Sequence, residues 1–162
     1  MSVHSPESFE LPEDFGPGSV WVDRFATRQY VGHTQSGVEI PIGLEEGRVS
    51  PGELLKLALI GCAGMSMDHS VARRLGEDFA ARLYAHGTSD EKDDRYHEID
   101  ETIQLDLSGL DEREREKLAA VIDRVIEAAC TIQRTVVPGA EVRHTITDAH
   151  SAGAAASHEE EK

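Results

Sequence analysis

From Ser50 to Gly76 the chain reads SPGELLKLALIGCAGMSMDHSVARRLG, and between Leu54 and Ala63 its only charge is Lys56. Ser50 is a good helix N-cap, Pro51 suits the first helical position, and Glu53 stands where a capping box needs its carboxylate. The pattern predicts a helix that starts at Pro51, is apolar on every face through its first half, and is therefore buried on all sides. After Met67 the pattern changes. Asp68, His69, Arg73 and Arg74 bring the helix, or a second one after a break, out to solvent, and Gly76 is a stop signal.

Around this helix the periodicity switches to two. VWVDRFATRQYVGHT, Val20 to Thr34, is strand-like, with Val20, Val22, Phe25, Tyr30 and Val31 as apolar anchors. QSG then marks a turn, and VEIPIG alternates Val38, Ile40 and Ile42 on one face, which completes a hairpin with Pro41 best suited to an edge. DFAARLYAH, Asp78 to His86, and YHEIDETIQLDL, Tyr96 to Leu107, alternate likewise across the polar loop GTSDEKDDR. A second helix starts at Asp111, with Glu114 at its N3 position, and repeats Leu118, Val121, Ile122, Val125, Ile126 and Ala129 along one stripe. Its other face carries Arg113, Lys117 and Arg124, and it delivers Cys130 at its end. After the Pro138–Gly139 turn, AEVRHTITD, 140–148, reads as a last strand. The expected order is β-β-α-β-β-α-β, an α+β fold of antiparallel sheet around a buried central helix.

These elements suit one domain over 19–148, with an extended N-terminal arm over 1–18. SAGAAASHEEEK, within 149–162, is too small and polar to form a core and is expected to be a disordered acidic tail. A chain of 162 residues has little material with which to surround a helix that is apolar on every face. The simplest arrangement is a homodimer in which two central helices pack together inside shared sheets.

Charge narrows the partners. The net charge of −15 repels nucleic acid and anionic membrane, so neither is expected as a partner. No apolar run reaches the length of a bilayer span, and the first residues lack a basic region followed by an apolar one, so a cytoplasmic protein is expected. A reducing compartment keeps Cys62 and Cys130 as thiols unless they are catalytic or redox-sensing. The eight histidines show no CxxC or HxxxH pairing with them, so neither a metal nor another cofactor is expected.

Cys62 alone, on an apolar helix, reads as a small core hydrophobe. Cys130 lies just past a helix end, before TIQRTVVPG, a segment that must turn. A pair of that kind is what thiol peroxidase chemistry requires, one thiolate to attack and one thiol to resolve the sulfenic acid. SPGELLKLALIGC, with Cys62 in the helix, resembles the OsmC/Ohr family of thiol-dependent hydroperoxide reductases. CTIQRTVVPGAEV, from Cys130, is similar to that family's second cysteine motif, a Cys-Pro-Val-like run leading to the last strand. The cysteines stand 68 positions apart, within the family's arrangement, and the resemblance covers Val20 to Asp148.

The resemblance implies an intertwined homodimer with active sites at the subunit interface. It implies a peroxidatic role for Cys62 and a resolving role for Cys130, and an arginine from the early hairpin that lowers the thiolate pKa. Arg28 matches that arginine best and Arg24 is the second candidate; read alone, each is a solvated strand residue. The implied substrate is an organic hydroperoxide, favoured over hydrogen peroxide by the apolar Leu55, Leu59, Ile60 and Met65, and the implied reductant is a lipoyl-type dithiol. The chain departs from the family in two places. Gly52 stands where the peroxidases carry a glutamate that orients the arginine, and Thr131 replaces the proline after the second cysteine. Glu53 is one residue later, a rotation of about 100° along a helix, and fits the capping box better than the missing carboxylate. The alternative reading is therefore a small-ligand-binding dimer with weak or no turnover. His69 and Ser66 share the Cys62 face and raise a cysteine hydrolase, but no third residue completes it, and Met65 and Met67 read as core filler.

Overall fold

The computed structural model describes residues 15–140 and 142–143, which form two compact units, 15–51 with 142–143, and 52–140. Most of the expected arm, most of the last strand over 140–148, and the tail lie outside the described residues. The architecture is α+β with antiparallel strands, as expected, though with more and shorter strands than the periodicity indicated.

In the first unit β1 (Val20–Ala26), β2 (Gln29–Thr34) and β3 (Glu39–Ile42) form an antiparallel sheet in that order. The stretch Val20 to Thr34 is thus not one strand. It folds back at Thr27–Arg28, where Arg28 takes a left-handed φ of 58°. The expected apolar anchors of β1 are exposed, Val20 at 67%, Val22 at 55% and Phe25 at 73%. The opposite face is the covered one, because Trp21 stacks on His33 at 5.1 Å and Phe15 meets the indole edge-on at 5.5 Å. His33 Nε2 lies 3.2 Å from Asp23 Oδ2 on the same face. Pro41 falls on an edge strand, as a residue without an N–H should, and its carbonyl accepts from Val49 N at 2.9 Å.

In the second unit α1 (Pro51–Leu75) runs without the break considered after Met67. It stops at Gly76, whose φ of 98° is open to glycine and whose N–H bonds the Ala72 carbonyl at 2.8 Å. β4 (Ala81–His86) begins later than the alternation from Asp78 suggested, since Phe79 N–H turns back to Gly76 O at 3.2 Å. The polar loop contains a small hairpin of β5 (Ser89–Asp90) and β6 (Arg95–Tyr96). β7 (Asp100–Leu105) pairs with β4, from Ala81 opposite Leu105 to His86 opposite Asp100. α2 (Glu112–Ala129) carries the expected capping box, Asp111 Oδ1 accepting from Glu114 N at 2.8 Å and Glu114 Oε2 from Asp111 N at 3.0 Å. A short α3 (Thr131–Val136) follows, where only a turn was expected.

The core forms where α1 meets α2. Ala63, Met67 and Val71 recur at every fourth position of α1, and Leu118, Ile122, Ile126 and Cys130 do so along α2 and its cap. Leu83, Ile103 and Leu105 pack on this cluster from β4 and β7. Each fully buried Met, Leu or Val side chain contributes about 1.5–3 kcal/mol relative to exposure. Within one chain this cluster covers only part of α1, so the second unit alone does not cover the helix on every face. One helix and one strand pair cover one stripe; Leu57 remains 54% and Met65 84% exposed. Met67 is core filler as expected, and Met65 is not.

Candidate active site

Cys130 sits at the junction of α2 and α3. Its N–H continues the α2 ladder to Ile126 O at 2.8 Å, and its extended φ and ψ of −73° and 98° then start α3. Continuing the Leu118–Ile122–Ile126 stripe aims its side chain at α1, and the thiol is fully buried. The sulfur accepts from Gln133 N at 3.4 Å. Cys62, on α1 one position before the buried Ala63, is half-buried and packs against the same cluster. The two free thiols, predicted from distant segments, are hydrogen-bonding neighbours in one unit.

Their surroundings push the two pKa values apart. The N–H of Ile132 bonds the Cys62 sulfur and is the main cause lowering its pKa below the ordinary thiol range; burial opposes this. The Cys130 thiol, the Thr131 N–H and Ser66 lower it further. Ser66 Oγ also donates to the Cys62 carbonyl at 2.8 Å. Burial pushes the Cys130 thiol up, partly offset by the Gln133 N–H, and the neighbouring Cys62 raises it further. The pair therefore ionises at Cys62 first, with Cys130 retained as a thiol that donates its proton toward the Cys62 sulfur.

A cavity of about 680 Å³ adjoins the pair. Leu59, one helical turn before Cys62, and Gln133, whose N–H reaches the Cys130 sulfur, stand on its wall with Tyr96, Ile99, Glu101 and Val137. Neither cysteine is itself on the wall. Burial raises the Glu101 carboxyl above the ordinary carboxylate range.

The absent glutamate has a steric counterpart. A Cβ at Gly52 would collide with the Tyr96 hydroxyl, so the phenol occupies the space into which any side chain at position 52 would grow. Lys56, the lone charge of the apolar half, lies over the Tyr96 ring at 5.0 Å and donates to Gly87 O at 3.4 Å. Sequence reading missed Tyr96, which is remote from Gly52 in the chain and stands in no motif.

The other sequence-derived candidates are placed as follows. Glu53 is an exposed first-turn acid of α1. Arg24, in β1, and Arg28, at the left-handed turn after it, belong to the first unit and are exposed there. His69 is exposed in the last third of α1, as the emergence to solvent predicted. Where no ligand pairing was read from the histidines, folding brings together Asp90, Asp93 and His97, whose ligand atoms lie within 4.8 Å of one another. This exposed trio is already engaged: His97 Nε2 is 3.2 Å from Asp93 Oδ2, and Asp90 Oδ1 accepts from Lys92 N and Asp93 N. Among the described residues no helix is long and apolar enough to cross a membrane.

Comparison with known proteins bears on this site. Residues 44–145 match the family described as OsmC-like protein, a span that includes both cysteines. An uncharacterised protein of Mycobacterium tuberculosis is 45% identical over 131 residues, covering 80% of this chain and 96% of its own, and one of Mycobacterium bovis matches equally. A hypothetical protein of Aquifex aeolicus has a similar structure, with a TM-score of 0.60, 21% identity, and coverage of 77% of this chain and 90% of its own. A putative osmotic stress induced and detoxification response protein of Psychrobacter arcticus aligns with a TM-score of 0.58, 18% identity, and coverage of 76% and 90%.

Proposed function

The chain belongs to the OsmC-like protein family, and on that premise we propose that it is a thiol-dependent peroxidase that reduces organic hydroperoxides to alcohols. The observation that carries the proposal is the polarised thiol pair, Cys62 lowered by the Ile132 N–H and the Cys130 thiol while burial keeps Cys130 protonated.

The Cys62 thiolate attacks the terminal oxygen of R–O–OH. An S–O bond forms as the O–O bond breaks, its electron pair leaves with the alkoxide, and a proton completes the alcohol. Cys62 is then a sulfenic acid. The Cys130 sulfur displaces hydroxide from it, which departs as water with the Cys130 proton, and a Cys62–Cys130 disulfide results. A dithiol reductant of lipoyl type returns both thiols and is itself oxidised to a disulfide. Arg28, or failing it Arg24, is assigned as the cation that holds the thiolate and the developing alkoxide charge. Glu53 remains a helix-capping acid. The apolar Leu59, Ile99 and Val137 on the cavity wall suit the organic part of the substrate. The working unit is a homodimer in the cytoplasm, with the exposed apolar residues of α1, Leu55, Leu57 and Met65, covered by a second copy.

A second reading has its own observation. Gly52 and Tyr96 leave no carboxylate at the family's arginine-orienting position, which favours a dimer that binds a small apolar ligand in the cavity without turnover. Peroxidase turnover of cumene hydroperoxide with dihydrolipoamide separates the two. The first reading expects turnover that Cys62→Ser abolishes and that hydrogen peroxide supports poorly. Turnover no faster in wild type than in Cys62→Ser leaves the binding reading.

A further inference from the structure

Two glycines far apart in the chain make room for one ring. A Cβ at Gly52, in the first turn of α1, would collide with the Tyr96 hydroxyl and stand 3.2 Å from Cζ. A Cβ at Gly87, just after β4, would stand 3.3 Å from Tyr96 Cδ1. Lys56 Nζ lies over one face of the ring, 5.0 Å from its centroid, and is itself held there by donating to Gly87 O at 3.4 Å. The hydroxyl end, one edge and one face of the phenol are thus occupied. Tyr96 also stands on the wall of the cavity beside the thiols, and the surface it has left for that wall is its second face. Ile99 Cγ1 lies 3.2 Å from the same Gly87 Cβ position, so the isoleucine is a neighbour of the ring, and with the buried Leu59 it stands on the same wall. The cavity therefore holds one flat aromatic face, fixed from behind and flanked by aliphatic side chains.

We propose that Tyr96 is a specificity-determining residue, and that it selects hydroperoxides with an aryl group over alkyl ones of the same size. Two aromatic rings in offset or edge-to-face contact gain more than their buried area alone supplies, which a saturated ring cannot match. The Lys56 ammonium draws the π density of the phenol toward the face it covers, so the free face is a poor site for a cation and a better one for another aromatic ring. The cavity, at about 680 Å³, is within the range of small-ligand sites. Cys62 stands one helical turn beyond Leu59, so an aryl group on this wall leaves the peroxide end for the thiol. The reacting end of the substrate rests on the peroxidase reading; the aryl preference rests on the cavity wall alone.

The test compares cumene hydroperoxide with the analogue in which cyclohexyl replaces phenyl, using the full chain and dihydrolipoamide. The two substrates differ in the ring alone. The aryl substrate is expected to show a KM lower by about two- to tenfold, the scale of one aromatic pair, at similar kcat. Tyr96→Phe should keep that ratio and Tyr96→Leu should remove it, with circular dichroism and urea unfolding checking that both variants fold. The two product alcohols, cumyl alcohol and its cyclohexyl analogue, are titrated in parallel into Cys62→Ser and followed by NMR, where turnover plays no part. The same preference is expected there, and its loss when Tyr96→Leu is added. If Tyr96→Leu does not fold, the alcohol comparison in Cys62→Ser decides alone. An aryl preference in binding without turnover in the wild type upholds the role of Tyr96 and rejects the peroxidase reading. Equal binding of the two alcohols, no saturable binding of either, or a preference that Tyr96→Leu leaves unchanged would overturn the proposal.

Discussion

Replacing Gly52 by alanine tests whether Tyr96 occupies the place of the missing carboxylate. A methyl at position 52 would overlap the Tyr96 hydroxyl and come within 3.2 Å of Cζ, so the ring must swing away. That movement disturbs the Lys56 contact at 5.0 Å and one wall of the cavity. Overpacking of this kind costs about 1–3 kcal/mol. Alanine in place of glycine in a helix returns at most about 1 kcal/mol, less at its first turn, where position 52 lies. The net expectation is destabilisation by about 1 kcal/mol, read as a lower urea midpoint at unchanged slope. Tyr96→Ala removes the obstacle, so in that background Gly52→Ala should be neutral or mildly stabilising. The coupling between the two sites should then be about 1–3 kcal/mol. Gly52→Glu, which restores the family's carboxylate, should cost more than Gly52→Ala and be relieved by the same Tyr96→Ala change. Wild-type stability in Gly52→Ala, or an equal penalty with Tyr96 absent, would refute the steric argument.

Three further expectations concern charge and caps. Alkylation of Cys62 should reach half its maximal rate at a lower pH than a free thiol, and Cys130→Ala should move that midpoint upward by removing one donor; an unmoved midpoint would show that Cys130 does not act on the Cys62 sulfur. Burial raises the Glu101 pKa, so folding favours its protonated form: the penalty is full above the folded pKa and vanishes as pH falls below the unfolded value. Glu101→Gln should therefore raise the urea midpoint at neutral pH and leave it unchanged in strong acid, and a gain of equal size at both would contradict the assignment. Asp111→Ala removes the side-chain half of the α2 capping box, the bond accepted from Glu114 N, and should cost about 0.5–2 kcal/mol in urea unfolding.

Helix boundaries were legible because local chemistry sets them. Ser-Pro-Gly-Glu opens α1, Gly76 closes it, and Asp111 with Glu114 opens α2. Cys130 could be placed at a helix end for the same reason. The turn at Thr27–Arg28 was not legible, since neither residue punctuates a strand and Arg28 adopts its left-handed φ without a glycine's freedom. Periodicity also groups alike positions without saying which group is covered. It put Val20, Val22 and Phe25 on one face of β1, and the Trp21–His33 stack covers the other. The completely apolar half of α1 likewise gave no stripe to choose; α2 selects Ala63, Met67 and Val71. Tyr96 against Gly52 is a contact between remote segments, and no single-sequence pattern encodes it.

The central claim is that the Cys62 thiol is a nucleophile and Cys130 its resolving partner. Intact mass and a free-thiol count after one equivalent of an organic hydroperoxide test it most directly, with Cys62→Ser and Cys130→Ser treated in parallel. The account predicts loss of both thiols in the wild type as an internal disulfide, an oxidised Cys62 trapped in Cys130→Ser, and an unchanged Cys62→Ser. Survival of both thiols in the wild type would contradict it and leave Cys62 as a packing residue of a ligand-binding fold.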